Sequence, residues 1–143
     1  MFRNSKKSIF ITEHGFHKKF DYIKNKRGNY CVQFIIYKNN SKSKKILKWW
    51  QDRCLEWCHE IVENGKFGDQ KYLDMWPRLF KNHICISKNL KFFQGPWTLD
   101  RFKEKDAIVY HFHGFKINSP NILIYNNYGF TNKIIKNIYI PYI

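Results

Sequence analysis

The feature that most constrains the fold is the run Tyr30-Cys31-Val32-Gln33-Phe34-Ile35-Ile36-Tyr37. Successive side chains of an extended chain point to opposite sides, so this run is apolar on both faces. A strand of that kind needs a covering layer on each side. We therefore predict a central strand here, in an α/β domain whose mixed sheet carries flanking helices. Gln33 is the exception, and a buried glutamine must either bridge backbone groups or point at a ligand.

A long amphipathic helix is predicted to follow, running to about Val62, with Ser41 or Ser43 as its N-terminal cap. Apolar residues recur in it at spacings of three and four, namely at Ile46, Trp50, Cys54, Trp57 and Ile61. The pair Asn64-Gly65 is typical of a helix end. We expect this helix, over residues 43–62, to back the sheet and to place its tryptophans in the core rather than against a ligand.

Shorter elements complete the predicted architecture. Residues 8–12, 83–87 and 107–113 are rich in β-branched and aromatic residues and are predicted strands. The segment 21–28 is predicted to be a charged connection. In the tail, residues 118–143, the spacing of apolar residues predicts a short amphipathic helix with Ile134, Ile135, Ile138 and Tyr139 on one face.

The composition fits one folded domain with a strongly basic surface. The 143 residues are 43% hydrophobic and carry 26 basic against 11 acidic side chains, a formal charge of +15. Such an excess favours polyanionic partners: nucleic acid, anionic lipid headgroups or nucleotide-sugar diphosphates. The lysines are spread along the whole chain, which weakens the charge as a functional signal.

The cysteines and the hydropathy pattern point to an intracellular protein. Four cysteines without a Cys-x-x-Cys pair are expected to be buried thiols rather than zinc ligands. The sequence shows neither a signal peptide nor a run of about 20 apolar residues. We expect a cytoplasmic location, and the basic, aromatic tail leaves open a peripheral contact with the inner face of the membrane.

The stretch Gly65-Lys66-Phe67-Gly68-Asp69-Gln70 is the first candidate site. Its two glycines let the backbone approach a ligand, and Asp69 opens a short helical segment that Pro77 is expected to stop. Asp69 is either an N-terminal cap of that segment or a ligand-binding carboxylate.

The second candidate site is Tyr110-His111-Phe112-His113-Gly114-Phe115-Lys116. A period of two puts His111 and His113 on one face of a strand, beside a glycine and a lysine. This suits a metal and diphosphate site, and the alternative is a pair of hydrogen-bonded or solvated histidines. Upstream, Gly95-Pro96-Trp97 forms a turn whose ring either packs inward or lines an acceptor site.

Together these stretches resemble sugar-nucleotide-dependent glycosyltransferases of the A-type fold, most like the retaining family 8 enzymes. The resemblance covers the chain from about residue 8 onward and implies the C-terminal half of that fold. It implies that Asp69 and Gln70 face the donor sugar and that His111 binds Mn²⁺ or Mg²⁺. It also implies that Gly114 and Lys116 contact the diphosphate and that Trp97 contacts the acceptor. Asp69, Gln70, His111 and Gly114 are then expected to converge on one cleft.

The family's nucleotide-binding half and its Asp-x-Asp metal motif have no counterpart in this sequence. Residues 1–143 are therefore expected to form a single partial domain, the half with the acceptor and metal sites. The implied partners are a nucleotide-diphosphate sugar, a glycan acceptor of the cell envelope and a chain that supplies the missing half. The metal would bind only if the missing carboxylates were supplied, so we expect the isolated chain to be inactive.

Two other kinds of function remain open from the sequence. One is a small basic nucleic-acid-binding module, which the charge and the aromatic content favour. The other is a non-catalytic fragment that folds with a partner chain. A steep salt dependence of DNA or RNA binding would favour the nucleic-acid-binding module.

Overall fold

The computed structural model describes residues 2–119, 122–124 and 128–142, and the chain divides into two compact units. Unit 1 comprises Met1–Glu13 and Phe20–Lys88, and unit 2 comprises His14–Lys19 and Asn89–Ile143. Both contain short helices and strands, so the predicted α/β class is confirmed, with the strands in small sheets. No helix in the described ranges combines the length and the apolar character that crossing a membrane requires.

Unit 1 is built on a three-stranded sheet. Its strands are β1 (Ile9–Glu13), β2 (Tyr30–Tyr37) and β3 (Ile84–Ile86). Their order is β2-β1-β3, with β1 antiparallel to β2 and parallel to β3. β1 is the middle strand, and its residues Ile9 and Ile11 are fully buried.

The prediction that Tyr30–Tyr37 is the central strand is wrong, because β2 lies at an edge of this sheet. Apolar residues on both faces of a strand indicate that both faces are covered by other parts of the protein. They do not indicate whether the strand is central or at an edge, because that depends on its backbone pairing. On β2, aromatic packing covers one face: Phe34 lies against Phe10, with ring centroids 6.3 Å apart.

The pairing of β1 with β2 is also irregular. Phe10 pairs with Ile36 but Thr12 pairs with Cys31, so β2 carries three more residues than β1 between these two pairs. Gln33 lies in this bulged segment, and bulges of this kind re-aim side chains. Its amide nitrogen and oxygen are buried and have no hydrogen-bond partner in the described part of the chain.

The long helix, α2, spans Ser41–Glu56. Its N-terminal cap is Asn40, not Ser41 or Ser43: the Ser43 backbone N–H donates to Asn40 Oδ1 at 2.9 Å, and the Ser43 hydroxyl completes a capping box. The predicted end near Val62 is wrong, since Ile61 and Val62 follow the helix and are 55% and 52% exposed.

The pair Asn64-Gly65, expected to end the helix, lies beyond it and forms a reverse turn. Both residues have positive φ, 48° and 74°, and Glu63 and Lys66 exchange backbone hydrogen bonds across them. Two successive positive φ angles favour the two-residue turn of a β-hairpin, for which Asn-Gly is the preferred sequence.

The core of unit 1 gathers residues from the sheet, α2 and the segment after Gln70. Its fully or nearly fully buried members are Ile9, Ile11, Ile46, Leu73, Trp76 and Ile84. Trp49 and Trp50 pack against this cluster, which confirms the core prediction for these two. The prediction is wrong for Trp57, which lies directly after α2 and is not among the residues packed against the cluster.

Three short helices of unit 1 complete it. A 3-10 helix spans Gln70–Met75, and α3 follows it directly as Trp76–Leu79, with Pro77 in its first turn. Pro77 therefore continues a helical path that we expected it to stop, because proline is tolerated at the first positions of a helix. The segment 21–28, predicted as a charged connection, is also helical, because α1 spans Asp21–Arg27.

Unit 2 contains two pairs of short strands. β4 (Phe93–Gln94) pairs in parallel with β5 (Val109–Tyr110), and β6 (Lys116–Ser119) pairs antiparallel with β7 (Ile122–Ile124). The predicted strand 107–113 is thus only two residues long. It ends because the His113 backbone N–H turns back to the His111 carbonyl at 2.9 Å. Single-turn 3-10 helices lie at Leu90–Phe92, Pro96–Thr98 and Glu104–Asp106.

An aromatic cluster forms the core of unit 2. The tail continues as α4 (Asn132–Ile134), a π-helical turn (Ile135–Tyr139) and a 3-10 turn (Ile140–Tyr142). Tyr139 is fully buried, and its ring lies 4.9–5.8 Å from those of Tyr110, Phe112, Phe115 and Phe130. The predicted helical tail is confirmed over these residues: Ile134 and Tyr139 face inward and Lys133 and Lys136 are exposed.

Candidate functional site

The Gly-Asp-Gln stretch of unit 1 is held in place by its backbone. The indole N–H of Trp50 on α2 donates to the Asp69 carbonyl at 2.9 Å, and the Gly68 N–H donates to the His59 carbonyl at 2.9 Å. Gly68 has φ 49°, and a Cβ added there would meet nothing within 4 Å. These two hydrogen bonds fix the backbone of the loop, and the space beside Gly68 is open. Glycine suits this position because its φ is positive.

Asp69 occupies the cap position of the Gln70–Met75 helix, but its side chain makes no cap hydrogen bond. The carboxylate lies close to two thiols. Burial is the main cause that raises the pKa of Cys31 to about 12, and the negative charge of Asp69 adds to it. The same carboxylate is a minor cause, after burial and Cys58, of the raised pKa of Cys54, which is about 11. The Asp69 side chain therefore does not act as the N-terminal cap of this helix.

Gln70 and its neighbour connect the loop to α1. The Gln70 amide nitrogen donates to the Arg27 carbonyl at 3.1 Å. Lys71 Nζ donates to the Asn25 carbonyl at 2.8 Å and lies 2.9 Å from an Asp74 carboxylate oxygen. Gln70 thus has a structural contact that its sequence pattern did not indicate, and this contact fixes the direction of its amide.

His111 lies directly after β5 in unit 2 and is half-buried. Its backbone N–H donates to the Gln94 carbonyl at 2.9 Å. Its ring centroid lies 5.3 Å from that of Trp97 and 5.7 Å from that of His113. The two histidines are therefore neighbours, but through the turn after β5 and not on one face of a strand as predicted. His111 Nδ1 is buried and has no hydrogen-bond partner among the described residues. A neutral imidazole in this position can accept a hydrogen bond or bind a metal.

Trp97 packs inward, the first of the two alternatives that the sequence left open. It is 4% exposed, and its indole N–H donates to the His14 carbonyl at 2.7 Å. Gly95 is required beneath it, since an added Cβ would lie 2.8 Å from the Trp97 ring. A ring this buried cannot stack openly on a sugar, so its predicted acceptor role would require a movement of the chain.

His14 is the residue of this neighbourhood that the sequence did not reveal. Its side chain is buried, stacked on Phe16 at 4.6 Å and edge-on to Trp97 at 5.3 Å. The only local signal was the Gly15-Phe16 pair, and Gly15 has φ 64°. The hydrogen bond from Trp97 to the His14 carbonyl joins residues 83 positions apart, and no local sequence pattern predicts it.

The end of the second stretch is open. Gly114 has φ 72°, and both Gly114 and Lys116 are exposed, with Lys116 as the first residue of β6. His113 is exposed as well, with Nδ1 3.5 Å from the Tyr128 hydroxyl. A backbone with positive φ beside an exposed ammonium is suited to an anion such as phosphate.

The described residues do not form a complete metal site. No group of three or more histidine, cysteine and acidic side chains among them could hold an ion. His111 with His113 offers two imidazoles, whereas Mn²⁺ and Mg²⁺ favour about six mostly oxygen ligands. The cysteines are no substitute: only Cys31 is fully buried and Cys58 is exposed, so the expectation of four buried thiols holds for Cys31 alone.

The six predicted site residues fall into the two units. Asp69 and Gln70 belong to unit 1, whereas Trp97, His111, Gly114 and Lys116 belong to unit 2. Within unit 2, Trp97 and His111 are in ring contact. The convergence of Asp69 with His111 stays a prediction.

His111 gives the chain an expected pH dependence of stability. Burial, followed by the nearby His113, lowers the pKa of His111 from its ordinary 6.5. His111 therefore binds a proton more readily in the unfolded chain than in the folded chain. Its contribution to the free energy of unfolding is fully present above about pH 6.5 and is lost as the pH falls through the lowered folded pKa. We expect His111→Gln to flatten this slope in urea denaturation, whereas His59→Gln, at an exposed position, keeps it. An unchanged slope in His111→Gln would contradict the assignment.

Comparison with known proteins found two similar curated proteins, both of Bacillus subtilis (strain 168). The uncharacterized protein YfnF is 34% identical over 73% of this chain and 38% of its own length. The uncharacterized protein YfnD is 27% identical over 98% of this chain and 50% of its own length. No protein-family model and no solved structure matches the chain. The chain is thus similar to a part of each of these two proteins and spans half or less of their length.

Proposed function

We propose that this chain is the C-terminal portion of a nucleotide-sugar-dependent glycosyltransferase of the A-type fold, similar to the retaining family 8 enzymes. It would act with a glycan acceptor of the cell envelope. The proposal rests on the resemblance of the Gly65–Pro77 and Tyr110–Lys116 stretches to that family's donor-site motifs.

The observation that carries the proposal is the environment of His111. A half-buried imidazole, kept neutral by its lowered pKa, has a buried Nδ1 without a partner among the described residues. A positive-φ glycine and an exposed lysine follow within five residues. A purely structural histidine is usually satisfied by a hydrogen bond, so the orphaned nitrogen favours a ligand-binding role.

The chemistry assigned to the other residues follows from their types. Lys116 would make charge-assisted contacts to the diphosphate, and Asp69 would bind hydroxyl groups of the donor sugar. Gln70 cannot serve as the carboxylate nucleophile of a double displacement. Front-face attack by the acceptor is then the route that gives retention. A divalent cation would need carboxylates from outside the described residues, and the two imidazoles alone do not hold one.

An assay of the purified 143-residue chain tests whether it is incomplete. We expect almost no Mn²⁺-dependent transfer or hydrolysis of UDP-sugars, because these residues contain no Asp-x-Asp motif and the proposal assigns base binding to a half outside them. The measurement is UDP release with a panel of UDP-sugars, with and without Mn²⁺. Robust turnover by this chain alone would contradict the proposal that a second half is needed.

The competing function, a nucleic-acid-binding module, has its own test. The formal charge of +15 favours it. The affinity for single-stranded and duplex DNA would then fall steeply with salt concentration. The slope of log affinity against log salt concentration is proportional to the number of phosphates contacted. Weak binding with a shallow slope is what the glycosyltransferase proposal predicts.

A further inference from the structure

A second surface of unit 2 is unusually basic and lies apart in sequence from the two candidate stretches. One concave patch, which we call the lysine surface, is lined by Lys103, Glu104, Lys105, Lys133, Lys136, Asn137 and Pro141. It contains four lysines and one glutamate, a formal charge of +3. Glu104 is largely buried and its carboxylate lies 3.2 Å from Lys133 Nζ, so its charge is already paired.

In the sequence, exposed apolar residues neighbour the lysine surface. Pro141 lines it, and on either side of Pro141 in the sequence Ile140 and Tyr142 are 58% and 62% exposed. Apolar groups beside lysines are the pattern of a segment that lies in a membrane interface, with ammonium groups at the headgroups and apolar groups at the acyl boundary.

The aromatic core holds these side chains in place. Tyr139 is fully buried, and the Tyr142 ring stacks on Phe112 with centroids 4.1 Å apart and an interplanar angle of 22°. The exposed residues of the Ile140–Tyr142 turn are therefore attached to the core on both sides. Less conformational entropy is lost on binding when the contacting groups are already positioned.

We propose that the lysine surface, with Ile140 and Tyr142, binds the surface of a bilayer that contains anionic lipids. Nucleic acid could also pair with the lysines, but an exposed isoleucine makes no favourable contact with a phosphate backbone. A bilayer uses both the charge and the apolar side chains. This surface shares no residue with the proposed donor site, so the two proposals stand or fall separately.

Co-sedimentation of the full chain with vesicles tests the proposal. We expect binding to phosphatidylcholine vesicles that contain phosphatidylglycerol, and little binding to phosphatidylcholine alone. Lys105→Gln with Lys136→Gln should lower the partition coefficient about 25-fold, at roughly fivefold for each lysine near an anionic surface. The matched control is Lys44→Gln with Lys45→Gln on α2, which removes the same charge from exposed positions of unit 1 and should change binding much less.

The apolar contribution is tested by Ile140→Ser against Ile61→Ser, since the two side chains are similarly exposed, at 58% and 55%. Ile140→Ser should weaken vesicle binding severalfold, and Ile61→Ser should not. Equal losses in the two lysine pairs would overturn the proposal, as would absence of binding to anionic vesicles. So would an Ile140→Ser variant that binds vesicles as the unchanged chain does, which would assign the surface to polyanions in general. Far-UV circular dichroism confirms that each variant is folded.

Discussion

Replacing Trp76 with alanine is expected to destabilise unit 1 severely. Trp76 is fully buried in the cluster of sheet, α2 and α3 residues. Its ring lies edge-on to Trp50 at 5.7 Å and to Tyr37 at 6.4 Å. Truncating a buried tryptophan costs about 3–5 kcal/mol, which is much of the roughly 5–15 kcal/mol that stabilises a typical domain.

The same position offers a second, milder substitution. The Trp76 indole nitrogen is buried and has no hydrogen-bond partner in the described ranges. Trp76→Phe therefore removes an unsatisfied donor along with part of the ring, and it should destabilise much less than Trp76→Ala. Leu55→Ala is the surface control, because Leu55 is 77% exposed on the same helix that carries Trp50.

Urea denaturation followed by far-UV circular dichroism measures all three variants. The expected order of stability is Leu55→Ala near the unchanged chain, then Trp76→Phe, then Trp76→Ala. A Trp76→Ala variant within about 1 kcal/mol of the unchanged chain would show that the cluster around Trp76 is not the core of unit 1.

Local patterns predicted which elements exist better than how they are arranged. The run Tyr30–Tyr37 is a strand and residues 41–56 are helical, as β-branched content and a three-to-four spacing indicate. The edge position of β2 depends on backbone pairing between segments far apart in sequence, which side-chain patterns do not report. The pair Asn64-Gly65 fits both a helix end and a hairpin turn, and only the Glu63–Lys66 pairing decides between them.

The candidate site shows the same limit. His111 and His113 are neighbours as expected, but they lie in the turn after β5 and not on one face of a strand, so the period of two gave the wrong reason for their adjacency. The burial of His14 and the bond from Gln70 to the Arg27 carbonyl both depend on tertiary contacts. The sequence motifs therefore identified candidate residues, whereas the partners that these residues engage came from the fold.

Nucleotide-sugar binding is expected to depend strongly on Lys116. An ammonium that contacts a diphosphate contributes a charge-assisted hydrogen bond, so Lys116→Gln should weaken binding about tenfold or more. Lys105→Gln is the matched control, because it removes the same charge from another exposed position of unit 2. Equal weakening by the two variants would attribute binding to the overall positive charge and not to a site.

The central claim, that the Gly65–Pro77 and Tyr110–Lys116 stretches bind a nucleotide sugar, is tested most directly by mapping backbone amide chemical shifts. The ¹⁵N-labelled chain would be titrated with UDP-sugar and Mg²⁺, which avoids the line broadening of Mn²⁺. We predict weak binding in which amides around Asp69 and around His111 to Lys116 shift together with one dissociation constant, and that Lys116→Gln weakens both responses. Shifts confined to one stretch, shifts confined to the lysine surface, or no shifts at all would contradict the account.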